Sequence, residues 1–250
     1  PTWFYRVTSV QVIHHKVPYP LALTFVLPED PLVEVLKRLL LQVQGLGLQL
    51  NCLYLDKGFC VAPILEYLEK NGPPAILACT IRGKTGGTRS LCRGRRSYFT
   101  KYTFAAGKYP AHTVRMAVVR TYAHKKGKRK AVWLLYVVIR VKVSNPQTIR
   151  ARYRARFGIE CSYRCMRQTH AVTTSQNPLL RFFLISVAFL LVNLWITLRW
   201  HFCQVPRRGG RSVNKKLYEL QRQGHFLARV IEKLYGTVTT IQAQVEPLDP

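Results

Sequence analysis

The sequence is short of acidic residues. Among its 250 residues, 11 are Asp or Glu and 39 are Lys or Arg, which gives a formal net charge of +28. This charge is far larger than the solubility of a domain of this length requires. It indicates a polyanionic partner. Nucleic acid is the commonest one, because each phosphate that Lys or Arg neutralises releases condensed counterions. An anionic membrane is the main alternative.

The sequence also lacks paired cysteine motifs and a Ser-His nucleophile motif. Its 7 cysteines are scattered and include no C-x-x-C pair, which argues against a zinc ribbon and against a disulfide framework. Cys161, Cys165 and His170 form the one group that resembles a metal cluster. Two thiols one helical turn apart are more often packing residues. Neither structural zinc nor Ser-His hydrolase chemistry is predicted.

The first 80 residues have the pattern of an α/β sheet domain. Runs rich in β-branched and aromatic residues predict strands, and apolar residues at helical spacing predict helices. The predicted elements are a hairpin at 3–13 and 19–27, a helix from Pro31 that Asp30 caps and Gly45 ends, a strand at 50–55, a helix at 60–70 and a strand at 75–80. The order β-β-α-β-α-β predicts an α/β fold with flanking helices.

A basic segment follows at 82–110. It contains eight Lys or Arg and no acid, with aromatic residues between the charges, and it does not have the pattern of a core element. The pattern favours contacts with DNA phosphates, and a solvated loop is the equally weighted alternative. Strand patterns at 114–122 and 131–143 extend it into a β-rich insertion. The candidate DNA contacts here and next to Asp56 are Lys57, Arg93, Arg95, Arg96 and Lys101.

Helices are predicted for most of the remainder. Asn145-Pro146 begins a basic helix that is expected to run unbroken to about residue 168, and Asn177-Pro178 begins a second helix. The apolar stretch at 182–198 is borderline in length for a membrane span. After a basic hinge, apolar residues at helical spacing predict a further helix at about 213–235.

Two acidic residues have positions typical of metal ligands. Glu160 is the only acid between Lys70 and Tyr218, a span that contains 31 Lys or Arg. A lone carboxylate on a phosphate-binding face repels its ligand unless a divalent cation lies between them. Asp56 comes directly after a predicted buried strand, where α/β enzymes place such ligands. A helix N-cap is an equally good reading of Asp56.

The spacing around Glu160 resembles a known signature. On one continuous helix, Tyr153, Arg156, Glu160 and Arg167 would lie within an arc of about 60°. Together with the segment LYLDKGF at 53–59, this Y-(2)-R-(3)-E-(6)-R pattern resembles the DDE transposases of bacterial and archaeal insertion sequences, in the subgroup with the signature Y-(2)-R-(3)-E-(6)-K. The resemblance extends from the first hairpin to about residue 199.

The resemblance implies a ribonuclease-H-like fold, Mg²⁺ or Mn²⁺ as cofactor and a function in DNA transposition and recombination. In that family three carboxylates bind two metal ions for phosphodiester cleavage and strand joining. Asp56 matches the second carboxylate and Glu160 the third, so both are expected to be catalytic metal ligands. Tyr153 and Arg156 match signature positions that contact DNA. Arg167 stands where Lys is usual, which keeps the charge and changes the donor geometry.

The resemblance also implies an organisation and a departure from the family. It divides the chain into a ribonuclease-H-like core at 1–80 and 145–203, the β-rich insertion at 81–144, and a hinge, helix and tail at 204–250. The family's first Asp precedes the first hairpin and is absent from this sequence. We therefore expect a truncated, inactive form that binds DNA without cleaving it.

The expected setting is the cytoplasm, in association with the nucleoid, with a possible homodimer and no stable membrane association. Two alternatives belong to other classes. A non-enzymatic basic nucleic-acid-binding protein accounts for the charge and the aromatic residues, but not for the isolation of Glu160. A single-span membrane protein accounts for the apolar stretch at 182–198.

Overall fold

A computed structural model describes residues 6–14, 17–106, 109–125, 127–207, 210–214 and 216–236. The chain divides into two compact units, Pro1–Ile159 and Glu160–Pro250. Residues 3–5 of the predicted hairpin and the predicted tail beyond residue 236 lie outside the described residues.

The predicted N-terminal hairpin is confirmed. Strands β1 (Arg6–His14) and β2 (Val17–Val26) pair antiparallel and form a two-stranded sheet of their own. Helix α1 (Leu32–Gly45) packs on this hairpin because Leu39 and Val43, on one of its faces, form a small buried cluster with residues of the hairpin.

The N-cap predicted for α1 is wrong. Asp30 caps no helix, and the first helical turn follows Pro31, which has no side-chain cap. The Asp30 carboxylate instead accepts a hydrogen bond from the Leu27 backbone N–H at 3.0 Å and pairs with the Arg38 guanidinium. These two contacts lower the pKa of Asp30 and tie the turn before α1 to the helix.

The α/β class is confirmed by a five-stranded mixed sheet with flanking helices. Its spatial order is β3-β4-β7-β6-β5, in which β3 and β4 are parallel and every other neighbouring pair is antiparallel. The strands are β3 (Leu53–Leu55), β4 (Ala75–Cys79), β5 (Tyr98–Ala106), β6 (Tyr109–Lys125) and β7 (Lys128–Ile139). Helix α2 (Ala62–Lys70) connects β3 to β4, as the sequence predicts.

Helices cover both faces of this sheet. On one face the main core contains Leu36 and Leu40 of α1 together with Ile64, Leu65 and Leu68 of α2. On the other face α3 (Pro146–Tyr153) contributes Ile149 and Tyr153 to a second cluster with Tyr136 and Val138 of β7. Strand β4, between β3 and β7, is buried along its whole length, which explains its continuous apolar run.

The segment 81–144 is part of this sheet. Strand β7 pairs with β4 from Leu135 to Ile139, so the strands of the predicted β-rich insertion continue the sheet that β3 and β4 begin. The expectation that 82–110 contributes nothing to the core is wrong, because Tyr98, Tyr102 and Phe104 of β5 pack on the main core. Tyr98, Tyr102 and Phe104 are an even number of residues apart and so lie on one face of this edge strand, with Lys101 on the other face.

The long helix predicted from residue 146 is interrupted. After α3 the chain tightens into a 3₁₀ turn at Arg154–Phe157 and continues as α4 (Gly158–Thr169). The change of pitch means that residues on either side of the turn do not share the helical face that one continuous α-helix would give them.

The second unit is mainly helical. It contains α4 from Glu160 onward, α5 (Pro178–Phe202), a hairpin of β8 (Gln204–Arg207) and β9 (Gly210–Val213), and α6 (Leu220–Tyr235). Asn177 caps α5 as predicted, because its side-chain oxygen accepts from the N–H groups of Leu179 and Leu180 at 2.9 and 3.2 Å. The predicted hinge at 206–210 falls within the β8-β9 hairpin, and its residues 208 and 209 lie outside the described residues.

Helix α5 is the one described helix that is long and apolar enough to cross a membrane. The mean hydropathy of its most apolar window is 2.3, and 17% of that window is buried. Length and composition alone are a weak indication of a membrane span, because core helices of other proteins have the same properties.

Candidate functional site at the carboxyl ends of β3 and β4

Asp56 lies where the sequence predicts it, directly after β3. Its Oδ1 accepts a hydrogen bond from the Lys57 backbone N–H at 2.8 Å and so caps the 3₁₀ turn Lys57–Phe59. Asp56 thus caps this short turn, whereas the predicted cap of the helix at 60–70 is wrong, because α2 follows Val61, which has no side-chain cap. Because 56% of the side chain is exposed, a cap role leaves the carboxylate accessible to a ligand.

Tyr153 connects α3 to the strand that carries Asp56. Its hydroxyl donates to the Leu55 carbonyl at 3.0 Å, across 98 positions of the chain, and the residue is 4% exposed. The ring packs on Tyr136 and Tyr54, with centroid distances of 5.1 and 6.4 Å. The side chain therefore positions the end of β3 and does not itself present a surface to DNA.

Arg156 brings a cation to Asp56. Its Nη2 lies 3.6 Å from Asp56 Oδ1, and 15% of its side chain is exposed. The guanidinium lies over the rings of Tyr153 and Phe157, 5.5 and 5.9 Å from their centroids. These contacts hold Arg156 in place. Both contacts of Asp56 involve Oδ1, so Oδ2 is the oxygen available to a cation.

We expect Tyr153→Phe to lower the free energy of unfolding by about 1–3 kcal/mol, because the buried Leu55 carbonyl loses its donor. Burial raises the pKa of Tyr153 from 10.0 to about 12, partly opposed by the Arg156 charge. The stabilisation by the neutral phenol is therefore complete below pH 10 and is lost as pH rises through 12. Urea titrations of wild type and variant should converge across that interval.

The matched control for this prediction is Tyr235→Phe, since Tyr235 is 83% exposed. Its substitution should leave the urea midpoint unchanged. A Tyr153→Phe variant as stable as the wild type at neutral pH would contradict the anchoring role of the hydroxyl.

Glu160 and Arg167 belong to the second unit, on α4. Both side chains are exposed, Glu160 in the first turn and Arg167 in the last. Seven residues apart, they lie about 20° from each other around the helix axis. Glu160 and Arg167 therefore lie on one face of α4, as predicted. Tyr163 of the same helix packs edge-on against Phe189 of α5, at a centroid distance of 5.7 Å.

The basic loop before β5 lies at the same edge of the sheet as Asp56. Cys79, the last residue of β4, pairs with Leu135, which pairs with Val118, which pairs with Tyr98, the first residue of β5. Three of the predicted DNA contacts precede Tyr98 and are exposed, namely Arg93, Arg95 and Arg96. Lys57 is exposed next to Asp56. Tertiary pairing thus brings predicted contacts from two distant segments to one edge.

Lys101 lies farther from this edge, within β5. It is exposed and is paired with Arg115 of β6, so the two cations share a face of the sheet. The Arg115 guanidinium lies 4.0 Å from the centroid of the Phe99 ring and donates to the Val143 carbonyl at 3.0 Å. Arg115 is a basic surface residue that the sequence analysis missed.

A larger basic feature, also missed, projects from this edge. Strands β6 and β7 continue pairing for seven residue pairs beyond Cys79, from Val119↔Leu134 to Lys125↔Lys128. At about 3.3 Å per residue, this arm (residues 119–134) extends about 23 Å past the end of β4. Its sequence contains six Lys or Arg and no acid. The arm is therefore a basic ribbon on the Asp56 side of the sheet.

Aromatic rings order the guanidinium groups of the arm. Arg120 and Arg129 lie over the ring of Tyr122, 5.3 and 4.2 Å from its centroid. Arg120 also lies 6.0 Å from the centroid of the Trp133 ring and donates to the Arg95 carbonyl at 3.1 Å. These contacts join the arm to the basic loop before β5. Guanidinium groups fixed in this way lose less rotamer freedom on binding phosphate.

The metal expectation stays a prediction, and Asp56 is the carboxylate of this unit on which it depends. Carboxylate oxygens are the ligands that Mg²⁺ and Mn²⁺ prefer, and an exposed carboxylate at a strand end suits them. Within the described part of the chain, no group of three His, Cys, Asp or Glu residues is placed to hold a metal ion. The described cysteines are free thiols. A metal at this site would therefore need DNA or a further carboxylate to complete its coordination.

No protein-family model and no curated protein sequence matches this chain.

Proposed function

We propose that this chain is the core of a DNA transposase of the DDE type, built on a ribonuclease-H-like fold. The observation that carries the proposal is the contact of Tyr153 and Arg156 with the end of β3. The Tyr153 hydroxyl binds the Leu55 carbonyl at 3.0 Å and Arg156 lies 3.6 Å from Asp56. Tyr153 and Arg156 of the signature thus contact the LYLDKGF segment about a hundred residues earlier, within one unit.

The architecture of the first unit supports the fold proposal. An antiparallel hairpin, a helix and a parallel β-α-β unit follow one another, and helices cover both faces of the mixed sheet. Asp56 follows the first strand of the parallel pair, outside the sheet edge, where α/β proteins bind ligands.

The residues have distinct proposed roles. Asp56, through Oδ2, and Glu160 are the proposed metal ligands, and a bound pair of divalent ions would stabilise the entering and leaving oxygens of phosphodiester cleavage. Arg156 neutralises Asp56 while no cation is bound, and its guanidinium is the proposed donor to a phosphate oxygen of bound DNA. Tyr153 is a positioning residue, since it touches the strand end and not the ligand.

The basic edge supports DNA as the partner. Four strand spacings of about 4.8 Å separate β3 from β5, so the edge is about 19 Å wide from Asp56 to the basic loop. Duplex DNA presents one phosphate charge per about 1.7 Å of axis, or about 11 charges along that width. The arm adds cations beyond the edge. We propose that DNA lies along this edge, with the arm beside it.

Electron paramagnetic resonance of Mn²⁺ tests the metal assignment in the protein–DNA complex. We expect the wild-type complex to bind more Mn²⁺ than the protein and the DNA bind in total when each is measured alone. Asp56→Asn keeps an N-cap acceptor but loses the charge, and Glu160→Gln keeps its size. Removing a residue that only hydrogen-bonds to a metal ligand weakens metal binding roughly 10- to 100-fold. We expect each of these substitutions to weaken the additional Mn²⁺ binding by at least as much.

Glu66→Gln is the control, because Glu66 is a carboxylate on α2 that pairs with Lys70 at 2.7 Å. It should leave Mn²⁺ binding unchanged. If the protein binds DNA but Mn²⁺ binding does not change in Asp56→Asn and Glu160→Gln, the result would favour a non-enzymatic nucleic-acid-binding protein.

A further inference from the structure

Two cysteines lie at the edge of the sheet beside the turn that carries Asp56. Cys60 ends the 3₁₀ turn Lys57–Phe59, and Cys79 is the last residue of the neighbouring strand β4. The parallel register Leu55↔Leu77 places Cys79 level with this turn. Cys79 belongs to the main core and Cys60 packs against that core, so both free thiols lie on the same face of the sheet at this edge.

The surroundings make the two thiols unequal. Cys79 is 6% exposed and belongs to the main core, while Cys60 is half-buried at the margin of that core. The hydrogen bond with Cys79 lowers the pKa of Cys60, opposed by burial and aided by the Arg82 charge. The same hydrogen bond, together with burial, raises the pKa of Cys79. Cys60 is thus the accessible, nucleophilic member of the pair.

We propose that Cys60 and Cys79 form a reversible intramolecular disulfide that fastens the Asp56 turn to the end of β4. The inference does not depend on the proposed transposase function, because it rests on the two thiols and the strand register alone. A redox-sensing pair of this kind is the usual form of a disulfide in a reducing compartment.

The oxidant is a peroxide. The Cys60 thiolate attacks one peroxide oxygen, the O–O bond breaks, and the sulfur becomes a sulfenic acid while the leaving hydroxide takes up a proton to form water. The Cys79 sulfur then attacks the Cys60 sulfur and displaces the hydroxyl group, which leaves as a second water with the Cys79 proton. Two thiols and one hydrogen peroxide thus yield one disulfide and two waters. A dithiol reductant reverses the bond by thiol–disulfide exchange.

The bond would act on the Asp56 turn. Within this turn the N–H of Phe59 donates to the Asp56 carbonyl and the N–H of Cys60 to the Lys57 carbonyl, at 3.0 and 3.1 Å. A covalent link at Cys60 restrains the end of this turn against β4, so the turn opens less readily. We therefore expect slower amide exchange at Phe59 and Cys60 in the oxidised protein than in the reduced protein.

The test is oxidation of the full chain by one equivalent of hydrogen peroxide. The remaining thiols are then blocked with N-ethylmaleimide, and peptides are mapped without reduction. We expect one peptide pair joined through Cys60 and Cys79, lighter than the two reduced peptides by two hydrogens and separated by dithiothreitol. In Cys79→Ala, where no resolving thiol remains, Cys60 should be captured as a dimedone adduct.

Cys161→Ser is the matched control, since Cys161 is an exposed thiol on α4. The Cys60–Cys79 peptide pair should form in this variant as in the wild type. Full labelling of both Cys60 and Cys79 by N-ethylmaleimide after oxidation overturns the proposal. A dominant link from Cys79 to Cys92, the third thiol packed on this core, overturns it as well.

Discussion

Neutralising the tip of the arm should weaken DNA binding by on the order of 10²–10³-fold at 0.1 M salt. The change is the triple substitution of Lys128, Arg129 and Lys130 by Gln, all three exposed in β7 beyond the end of β4. Each lost phosphate contact removes about 0.9 from the slope of log K against log salt concentration. Three contacts lower the slope by about 2.7, which a fluorescence-anisotropy titration at several salt concentrations measures.

The control for the arm variant also replaces three cations by Gln, but on other elements. Lys37 and Lys70 lie on α1 and α2 and pair with Glu34 and Glu66, both at 2.7 Å, and Lys142 is exposed after β7. Their joint substitution by Gln should alter the salt slope by less than 1. Equal losses from the two triple variants would mean that net charge, and not the arm, determines the affinity.

Leu36→Ala should lower the free energy of unfolding by about 2–5 kcal/mol. Leu36 is 1% exposed and packs in the main core between α1 and the sheet. Removing its side chain loses buried apolar surface and leaves a cavity that the sheet cannot fill. The loss is a large part of the roughly 5–15 kcal/mol that stabilises a typical domain. Urea unfolding followed by tryptophan fluorescence and far-UV circular dichroism measures it.

Leu41→Ala on the same helix provides the matched control. Leu41 is 65% exposed, so its substitution should change the free energy of unfolding by no more than about 0.5 kcal/mol. The pair separates burial from helix propensity, because Leu is replaced by Ala in one helix in both variants. Similar losses for Leu36 and Leu41 would show that α1 does not pack on the sheet as described.

Elements with strong local signals were predicted correctly from the sequence. The hairpin, α1 and α2 have periodic apolar residues, β3, β4 and α5 have nearly continuous apolar runs, and the pair Asn177-Pro178 starts α5. The errors lie where local signals compete. Asp30 has the residue type and position of an N-cap, yet its carboxylate pairs with the side chain of Arg38, which lies within α1.

Strand β5 was missed because its charge conceals its periodicity. Tyr98, Tyr102 and Phe104 alternate with polar and basic residues, and the run of glycines and arginines before them favours a loop. Only pairing with β6 places the three rings on the main core. The interruption at Arg154–Phe157 is similar, since the basic sequence through it has no residue that breaks a helix before Gly158.

The sequence by itself determined the residues of the candidate site and their chemistry. Asp56 was selected by its place after an apolar strand, and Tyr153 and Arg156 by their spacing from Glu160, since residue type and local periodicity can be read directly from a chain. The tertiary structure decided what these residues touch. The Tyr153 hydroxyl reaches the Leu55 carbonyl, Arg156 reaches Asp56, and the register of β6 and β7 extends a basic arm past the same edge. Contacts between distant segments depend on sheet order and register, which arise from packing of the whole core and leave no local pattern.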